Sequence, residues 1–131
     1  MDFKEKQSIY LQIGDYICEN ILRDIWKKGD RIPSTREFAA QIEVNPNTVV
    51  RTYSYLEELG VISKERGVGY FVADDSVKNI MKFKKQEFLS STMPEFFKNF
   101  ELLGITWDEI DGHYKEYLNK GKGEITNENK Q

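Results

Sequence analysis

The most informative side chains of this sequence lie near its middle, at Asn47, Thr48 and Arg51. An arginine can donate a pair of hydrogen bonds to the edge of a guanine, and an asparagine can pair in the same way with an adenine. The spacing of Asn47 and Arg51 places both on one face if the segment is helical. Such a face is suited to contacting base pairs in a DNA groove. The alternatives are that both are solvated surface residues, or that Asn47 helps to cap the helix.

Two further polar residues, Ser34 and Arg36, precede this segment at the predicted start of another helix. The free N–H groups of a helix N-terminus attract anions, and an arginine beside them is suited to binding a phosphate. Ser34 has an alternative role, because a serine at this position also caps the helix through its own oxygen.

A third polar group contains Lys64, Arg66, Gly67 and Gly69. Arg66 is suited to entering a narrow minor groove, and Lys64 to contacting a phosphate. The two glycines let a backbone approach a groove closely, although the geometry of a tight turn also accounts for both of them.

Hydrophobic periodicity shows which elements must position these groups. Isoleucines recur at every fourth position from Ile9 to Ile25, which predicts an amphipathic helix from about Ser8 to Ile25. Cys18 lies within the apolar pattern of this helix, so we expect a buried thiol.

Two more helices are marked by their ends. Ser34 and Glu37 form a capping box that starts a short helix ending near Glu43. Asn45 is a good N-cap and Pro46 suits the first helical position, so a third helix is predicted to continue to Leu59 and stop at Gly60. A short helix, a tight turn and a longer capped helix together predict a helix-turn-helix.

Two short apolar segments, 61–65 and 70–72, follow this motif and read as strands joined by a glycine-containing turn. A β-hairpin directly after a helix-turn-helix is a wing. The predicted fold is thus mainly α with a small β-hairpin: a winged helix-turn-helix at 1–75, followed by a short C-terminal helical region.

That helical region is predicted to span residues 76–120, with a tail at 121–131 that lacks periodicity and is expected to be disordered. We expect a helix from 76 to 90, a break at 91–93 before Pro94, a second helix to Leu103, and a last one from about Trp107 to Lys120.

The charge balance argues against a strongly basic nucleic-acid-binding surface. The net charge is −3, and residues 1–75 carry 10 Lys and Arg against 13 Asp and Glu. Any attraction for phosphates must therefore come from a few placed cations, and we expect DNA affinity to depend only modestly on salt.

One cysteine and the lone His113 provide no metal site, and no cofactor or catalytic group is predicted. No segment is apolar enough to enter a membrane, so a soluble cytoplasmic protein is expected.

Four runs of the sequence, in this order and spacing, resemble the GntR family of bacterial regulators. They are residues 32–39 (Ile-Pro-Ser-Thr-Arg-Glu-Phe-Ala), 47–53 (Asn-Thr-Val-Val-Arg-Thr-Tyr), 56–62 (Leu-Glu-Glu-Leu-Gly-Val-Ile) and 67–72 (Gly-Val-Gly-Tyr-Phe-Val). The short helical C-terminal region resembles the YtrA-like branch, whose members are typically dimeric repressors. The resemblance implies double-stranded DNA as the partner, and DNA binding by Arg36.

Two positions depart from the family pattern. Pro46 stands just after the N-cap where many members have an arginine, and Val50 occupies a position that is often basic. The base preference of relatives therefore does not transfer to this chain. Val50 is instead suited to contacting a thymine methyl group.

The C-terminal region is rich in aromatic side chains and too small to be stable alone. Its apolar faces must pack on the winged domain or on a second subunit. We expect a homodimer, because a two-fold dimer matches palindromic half-sites on DNA; an aromatic ligand pocket is the alternative, and no small-molecule effector is identified. The expected dimerisation residues are Phe88, Phe96, Phe97, Phe100, Trp107 and Tyr114.

Three functions compete at this point. The first is a sequence-specific DNA-binding regulator, expected to be a repressor that acts as a homodimer on a palindromic operator. The second is a winged-helix protein-interaction module without DNA binding, which the acidic balance favours slightly. The third is an enzyme, for which the sequence offers no nucleophile with a base, no metal cluster and no phosphate-binding loop.

Overall fold

A computed structural model describes residues 7–129 of the chain, and the side chains of residues 7–121. The helices are α1 (Ile9–Leu22), α2 (Thr35–Ile42), α3 (Pro46–Glu58), α4 (Ser76–Glu87), α5 (Met93–Leu102) and α6 (Trp107–Asn129). The strands are β1 (Arg31–Ile32), β2 (Ile62–Glu65) and β3 (Gly69–Val72). The chain divides into two compact units, Met1–Gln86 and Glu87–Gln131.

The core of the first unit forms where α1 and α2 pack against α3. α1 contributes the middle three isoleucines of its row, Ile13, Ile17 and Ile21, to this core. The helix ends at Leu22, earlier than the sequence predicts. Ile9 is 46% exposed, while Ile25 lies beyond the helix and is 60% exposed. Successive fourth residues drift by about 40° around a helix, so a long row cannot stay on one face. The fully buried core side chains include Ile13, Ile17, Val49, Tyr53, Leu56, Val61 and Ile80.

The caps predicted for α2 and α3 are confirmed. The Ser34 Oγ accepts a hydrogen bond from the Glu37 N–H at 3.1 Å, and the Asn45 Oδ1 accepts one from the Asn47 N–H at 2.8 Å. α2 ends at Glu43, which adopts a left-handed conformation with φ 58°. Each helix therefore starts where its side-chain cap satisfies a free backbone donor.

The sheet has three strands in the order β1-β3-β2, all antiparallel, rather than the two predicted. β1 pairs Arg31 with Phe71 and Ile32 with Tyr70. The sequence did not reveal β1, because two residues are too few to show an alternating pattern. The pairing fixes the segment before α2 to the strand that follows the wing turn.

α4 belongs to the first unit, so the structure places the boundary after Gln86 rather than after residue 75. Ile80 and Ser76 are buried, and the Asn79 Nδ2 donates to the Gly60 carbonyl at 3.0 Å. The Lys84 ammonium lies 3.1 Å from the Asp15 carboxylate on α1. These contacts complete the core of the first unit. The periodicity of the apolar residues in α4 predicted a helix but did not indicate which unit the helix packs on.

The second unit begins inside a helical stretch that continues where a break was predicted. Residues Phe88–Thr92 form a π-helical turn, in which the Met93 N–H donates to the Phe88 carbonyl. A π turn shifts the hydrogen-bond pattern by one residue, so Pro94, which lacks an N–H, follows without ending the helix. The break predicted at 91–93 is therefore wrong.

The last helix also differs from the prediction, because α6 continues to Asn129 instead of ending near Lys120. It starts with a full capping box, in which Thr106 and Glu109 exchange backbone-to-side-chain bonds of 3.0 and 3.3 Å. The predicted end near Lys120 and the disordered tail at 121–131 rested on the polar composition and missing periodicity of these residues. Residues 130 and 131 lie outside the described part. Among the helices of the described chain, none is long and apolar enough to cross a membrane.

Candidate nucleic-acid interface

The start of α3 exposes the residues that the sequence singled out. Because Asn45 is the side-chain cap, Asn47 contributes its backbone N–H to that cap, and its side chain is exposed. Thr48 is half-buried and Arg51 is exposed one turn later. The opposite face of α3 is buried through Val49 and Leu56. One face of α3 is therefore packed in the core, and the other exposes side-chain hydrogen-bond donors and acceptors to solvent.

An open concavity of about 440 Å³ lies between the starts of α3 and α1. It is lined by Asn47, Thr48 and Arg51 from α3 and by Ser8, Ile9 and Tyr10 at the start of α1. The Arg51 Cζ lies 3.9 Å from the centroid of the Tyr10 ring. The sequence gave no sign that Tyr10 belongs to this group, because it lies in a different helix and its spacing fits the apolar pattern of α1.

The start of α2 is the second candidate contact. Ser34 is exposed and its oxygen is engaged as the N-cap, which supports the capping role; its hydroxyl hydrogen can still be donated. Arg36 follows in the first turn and is exposed. The turn therefore combines free backbone N–H groups with a nearby cation, a suitable arrangement for a phosphate.

The relative position of α2 and α3 depends on a residue outside the predicted site. Tyr53, fully buried in α3, donates its hydroxyl to the Pro33 carbonyl at 2.8 Å, immediately before the cap of α2. Burial raises the pKa of this phenol above its usual range, so it stays a donor at neutral and mildly basic pH. No sequence pattern distinguished this tyrosine from an ordinary core residue.

The wing consists of β2, β3 and the turn between them. Gly67 has φ 77° and Gly69 has φ 146°, conformations that side-chain-bearing residues rarely adopt, so turn geometry requires both glycines. Arg66 is exposed in the turn, and Lys64 is exposed on β2 with its ammonium 5.6 Å from the Tyr70 ring centroid. The wing therefore carries two exposed cations, Lys64 and Arg66, beside a turn that contains two glycines.

Among the described residues, no carboxylate forms an ion pair with the candidate cations. The ion pairs of the structure join Arg23 to Glu19, Lys84 to Asp15 and Lys115 to Asp111. Within the part of the chain that the structure describes, no ion pair or hydrogen bond involves the side chains of Arg36, Arg51 or Arg66. A net charge of −3 therefore coexists with exposed arginines whose donors are unused.

The aromatic residues predicted to mediate dimerisation all lie in the second unit. Phe96, Phe97, Phe100 and Trp107 form one cluster with ring centroids 5.4–6.1 Å apart in successive contacts. Trp107 is 63% exposed, and the side chains of Phe88 and Tyr114 are more than half exposed. His113 is exposed on α6, and among the described side chains there is no group of three or more His, Cys, Asp or Glu that could hold a metal ion.

Residues 9–72 match the model of a family described as bacterial regulatory proteins, gntR family. The HTH-type transcriptional regulator YhcF of Bacillus subtilis strain 168 is 37% identical over 91% of this chain and 97% of its own length. The HTH-type transcriptional repressor YtrA of the same strain is 29% identical over 94% of each chain. A crystal structure from Bacteroides thetaiotaomicron, described as a transcriptional regulator of the GntR family, has a TM-score of 0.77 and 40% identity, covering 87% of this chain and 99% of that one.

Proposed function

Because this chain belongs to the GntR family of DNA-binding transcriptional regulators, we propose that it is a repressor that binds a palindromic operator as a homodimer. The relatives are transcriptional regulators rather than enzymes, which removes the enzyme hypothesis. A winged-helix module that binds only other proteins has no support among these relatives. The observation that carries the proposal is the exposed face of α3, where the Asn47 side chain is not the cap and the Arg51 side chain has no polar partner within residues 7–129.

In this proposal α3 enters the major groove, and Asn47, Thr48 and Arg51 contact base edges. Arg36 binds a backbone phosphate beside the start of α2, and Ser34 combines capping with a contact through its hydroxyl. The wing supplies Arg66 to the minor groove and Lys64 to a phosphate, while the backbone at Gly67 and Gly69 approaches closely. Exposure of the cations and their lack of carboxylate partners support these roles.

The proposed homodimer is supported by the exposure of the described side chains in the second unit. Within residues 87–121 no side chain is buried. A segment without a buried side chain has little to offset the entropy of ordering its chain. A second copy supplies the missing apolar surface, and Phe88, Phe96, Phe97, Phe100, Trp107 and Tyr114 are the proposed dimerisation residues. We keep the residues after Gln86 as the dimerisation region and assign α4 to the DNA-binding unit.

Repression is proposed because YtrA, similar over nearly the whole chain, is described as a repressor. A two-fold dimer presents two α3 helices to DNA, which favours a palindromic operator. DNA binding also implies that the protein acts in the cytoplasm, where the chromosome lies.

The test is a binding titration on DNA from upstream of the protein's own gene, with scrambled DNA as the control, at two salt concentrations. We expect at least about a thousandfold preference for the native DNA. Since few cations contribute, the decrease in affinity with salt should be shallow.

The matching variant is Arg51→Ala, which we expect to abolish specific binding at physiological salt while leaving the thermal midpoint unchanged, because the side chain is exposed. Equal binding to both DNAs by the wild-type protein at both salts would contradict the proposal for this operator. Wild-type binding by the variant would contradict the role of α3.

A further inference from the structure

Tyr10, in the first turn of α1, is held in place by the same helix that carries Arg51. Its backbone carbonyl accepts a hydrogen bond from the Thr52 Oγ1 at 2.8 Å. Its ring meets the ring of Tyr55 edge-on, with centroids 6.0 Å apart and an interplanar angle of 88°. Thr52 and Tyr55 follow Arg51 on α3, so both the backbone and the ring of Tyr10 are fixed relative to that arginine.

The Arg51 guanidinium lies over the fixed ring, with Cζ 3.9 Å from its centroid. The attraction between a cation and an aromatic face requires none of the guanidinium hydrogen-bond donors. Among the described residues, no side chain or carbonyl accepts a hydrogen bond from the Arg51 guanidinium. The arginine is thus held in position while every donor remains available.

We infer that Tyr10 is a positioning residue for DNA recognition, which holds Arg51 in its base-reading position before DNA arrives. The inference rests on the proposed contact between Arg51 and a base. A long arginine side chain loses rotamer freedom when it binds, and a ring that has already restricted it reduces that cost. Asn47 and Thr48 line the same concavity, so the ring extends the recognition surface of α3 with a residue from α1.

The inference predicts that the ring matters and the hydroxyl does not. Tyr10→Leu removes the aromatic face, and we expect it to weaken specific binding about fivefold, the size of a partly exposed cation–π contact. Tyr10→Phe keeps the face and should bind like the wild type. Tyr16→Leu is the matched control, because it removes an exposed ring from the same helix, where the ring stacks on Phe38 instead of an arginine.

The experiment uses the full chain and a duplex that the wild-type protein selects from a random pool, together with its set of single base-pair changes. Titrations are made at low salt, where weakened variants still bind measurably. In the Arg51→Ala background, Tyr10→Leu should cause no further loss. Tyr10→Leu alone should relax the preference at the same base pair as Arg51→Ala.

Several outcomes would overturn the inference. Wild-type or tighter binding by Tyr10→Leu would mean that the ring does not prepare Arg51 for DNA. An equal loss in both backgrounds would mean that Tyr10 acts on DNA directly or through the fold; a fold defect lowers binding with or without Arg51. Wild-type binding by Arg51→Ala would refute the proposed contact itself, and the role of Tyr10 with it, which separates that failure from a failure of Tyr10 alone.

Discussion

Individual residues at the start of α3 have distinct tasks although their types are similar. Asn45 and Asn47 are both asparagines near a helix start, and either can cap it. The structure assigns the cap to Asn45, through the 2.8 Å bond from the Asn47 N–H. The Asn47 side chain is exposed as a result. The sequence left this residue between capping the helix and contacting a base, and the cap is now assigned to Asn45.

The sequence predicted the two caps from residue type and spacing, and the structure confirms both; the same reasoning proposed Arg51 for DNA contact. It could not identify Tyr10 or Tyr53, since their partners lie in other elements. Tyr53 contacts Pro33, and Tyr10 contacts Arg51, across distances in the chain that no periodic pattern covers. Tertiary contacts of this kind become visible only when the helices are packed together.

Cys18 provides a prediction at the scale of one side chain. Burial raises the pKa of its thiol from 9.0 to about 12, with smaller opposing effects of Lys84 and Asp15. In the unfolded chain the thiol ionises above pH 9, while the folded thiol stays protonated. The unfolded state then binds fewer protons, so the free energy of unfolding should fall with rising pH, by about 1 kcal/mol at pH 10.

Denaturant unfolding at neutral pH and at about pH 10 measures this difference. Cys18→Ala is the reference, because it lacks the thiol and should lose less stability between the two conditions. The buried Tyr53 phenol, whose pKa is also raised, changes the free energy of unfolding in the same direction in both proteins. Its contribution therefore cancels when the two are compared. Equal losses by the two proteins would show that the buried thiol does not control the effect.

At the scale of elements, helices with chemical signals at their ends were predicted well. Ser34, Asn45 and Pro46 mark the starts of α2 and α3 through interactions within a few residues. β1 and the π turn at Phe88–Thr92 were missed, because each exists through contacts that local sequence does not encode. β1 needs β3 as its partner, and the π turn accommodates a proline that the sequence alone marks as a break.

The bond from Tyr53 to Pro33 should connect the stability of α3 to that of the segment before α2. Tyr53→Phe removes the hydroxyl from a fully buried ring and leaves the Pro33 carbonyl without this donor. We expect the free energy of unfolding to decrease by about 1 kcal/mol. Chemical denaturation measures the change. Tyr16→Phe is the control at an exposed ring, and a loss of the same size there would contradict the assignment to the bond.

At the scale of the whole molecule, the two units differ in how they are stabilised. The first has a continuous buried core, and the second exposes Leu102 by 76% and Leu103 by 69% besides its aromatic residues. The sequence predicted that the aromatic segment needs a partner, but it placed the boundary before α4. The periodicity of α4 showed that it has an apolar face and gave no information about which unit it covers.

The proposed dimer is tested by Phe96→Asp combined with Phe100→Asp, which places two charges in the aromatic cluster of the second unit. Burying an unpaired charge is costly, so we expect monomers and a loss of operator affinity. Light scattering gives the molar mass directly. Ile25→Asp with Val68→Asp is the matched control on exposed apolar residues of the first unit, and it should remain dimeric. A dimeric Phe96/Phe100 variant would show that the interface lies elsewhere.

The pairing of β1 with β3 has a consequence for how this protein tolerates change. Because Arg31 pairs with Phe71, α2 and α3 lie inside one polypeptide loop that a two-residue strand closes. The entropy of closing such a loop rises only slowly with its length, by about 0.6 kcal/mol for each doubling. Added residues at the wing tip therefore cost little in closure entropy, and the proposed DNA-binding surface can lengthen there while the strand pair keeps the loop closed.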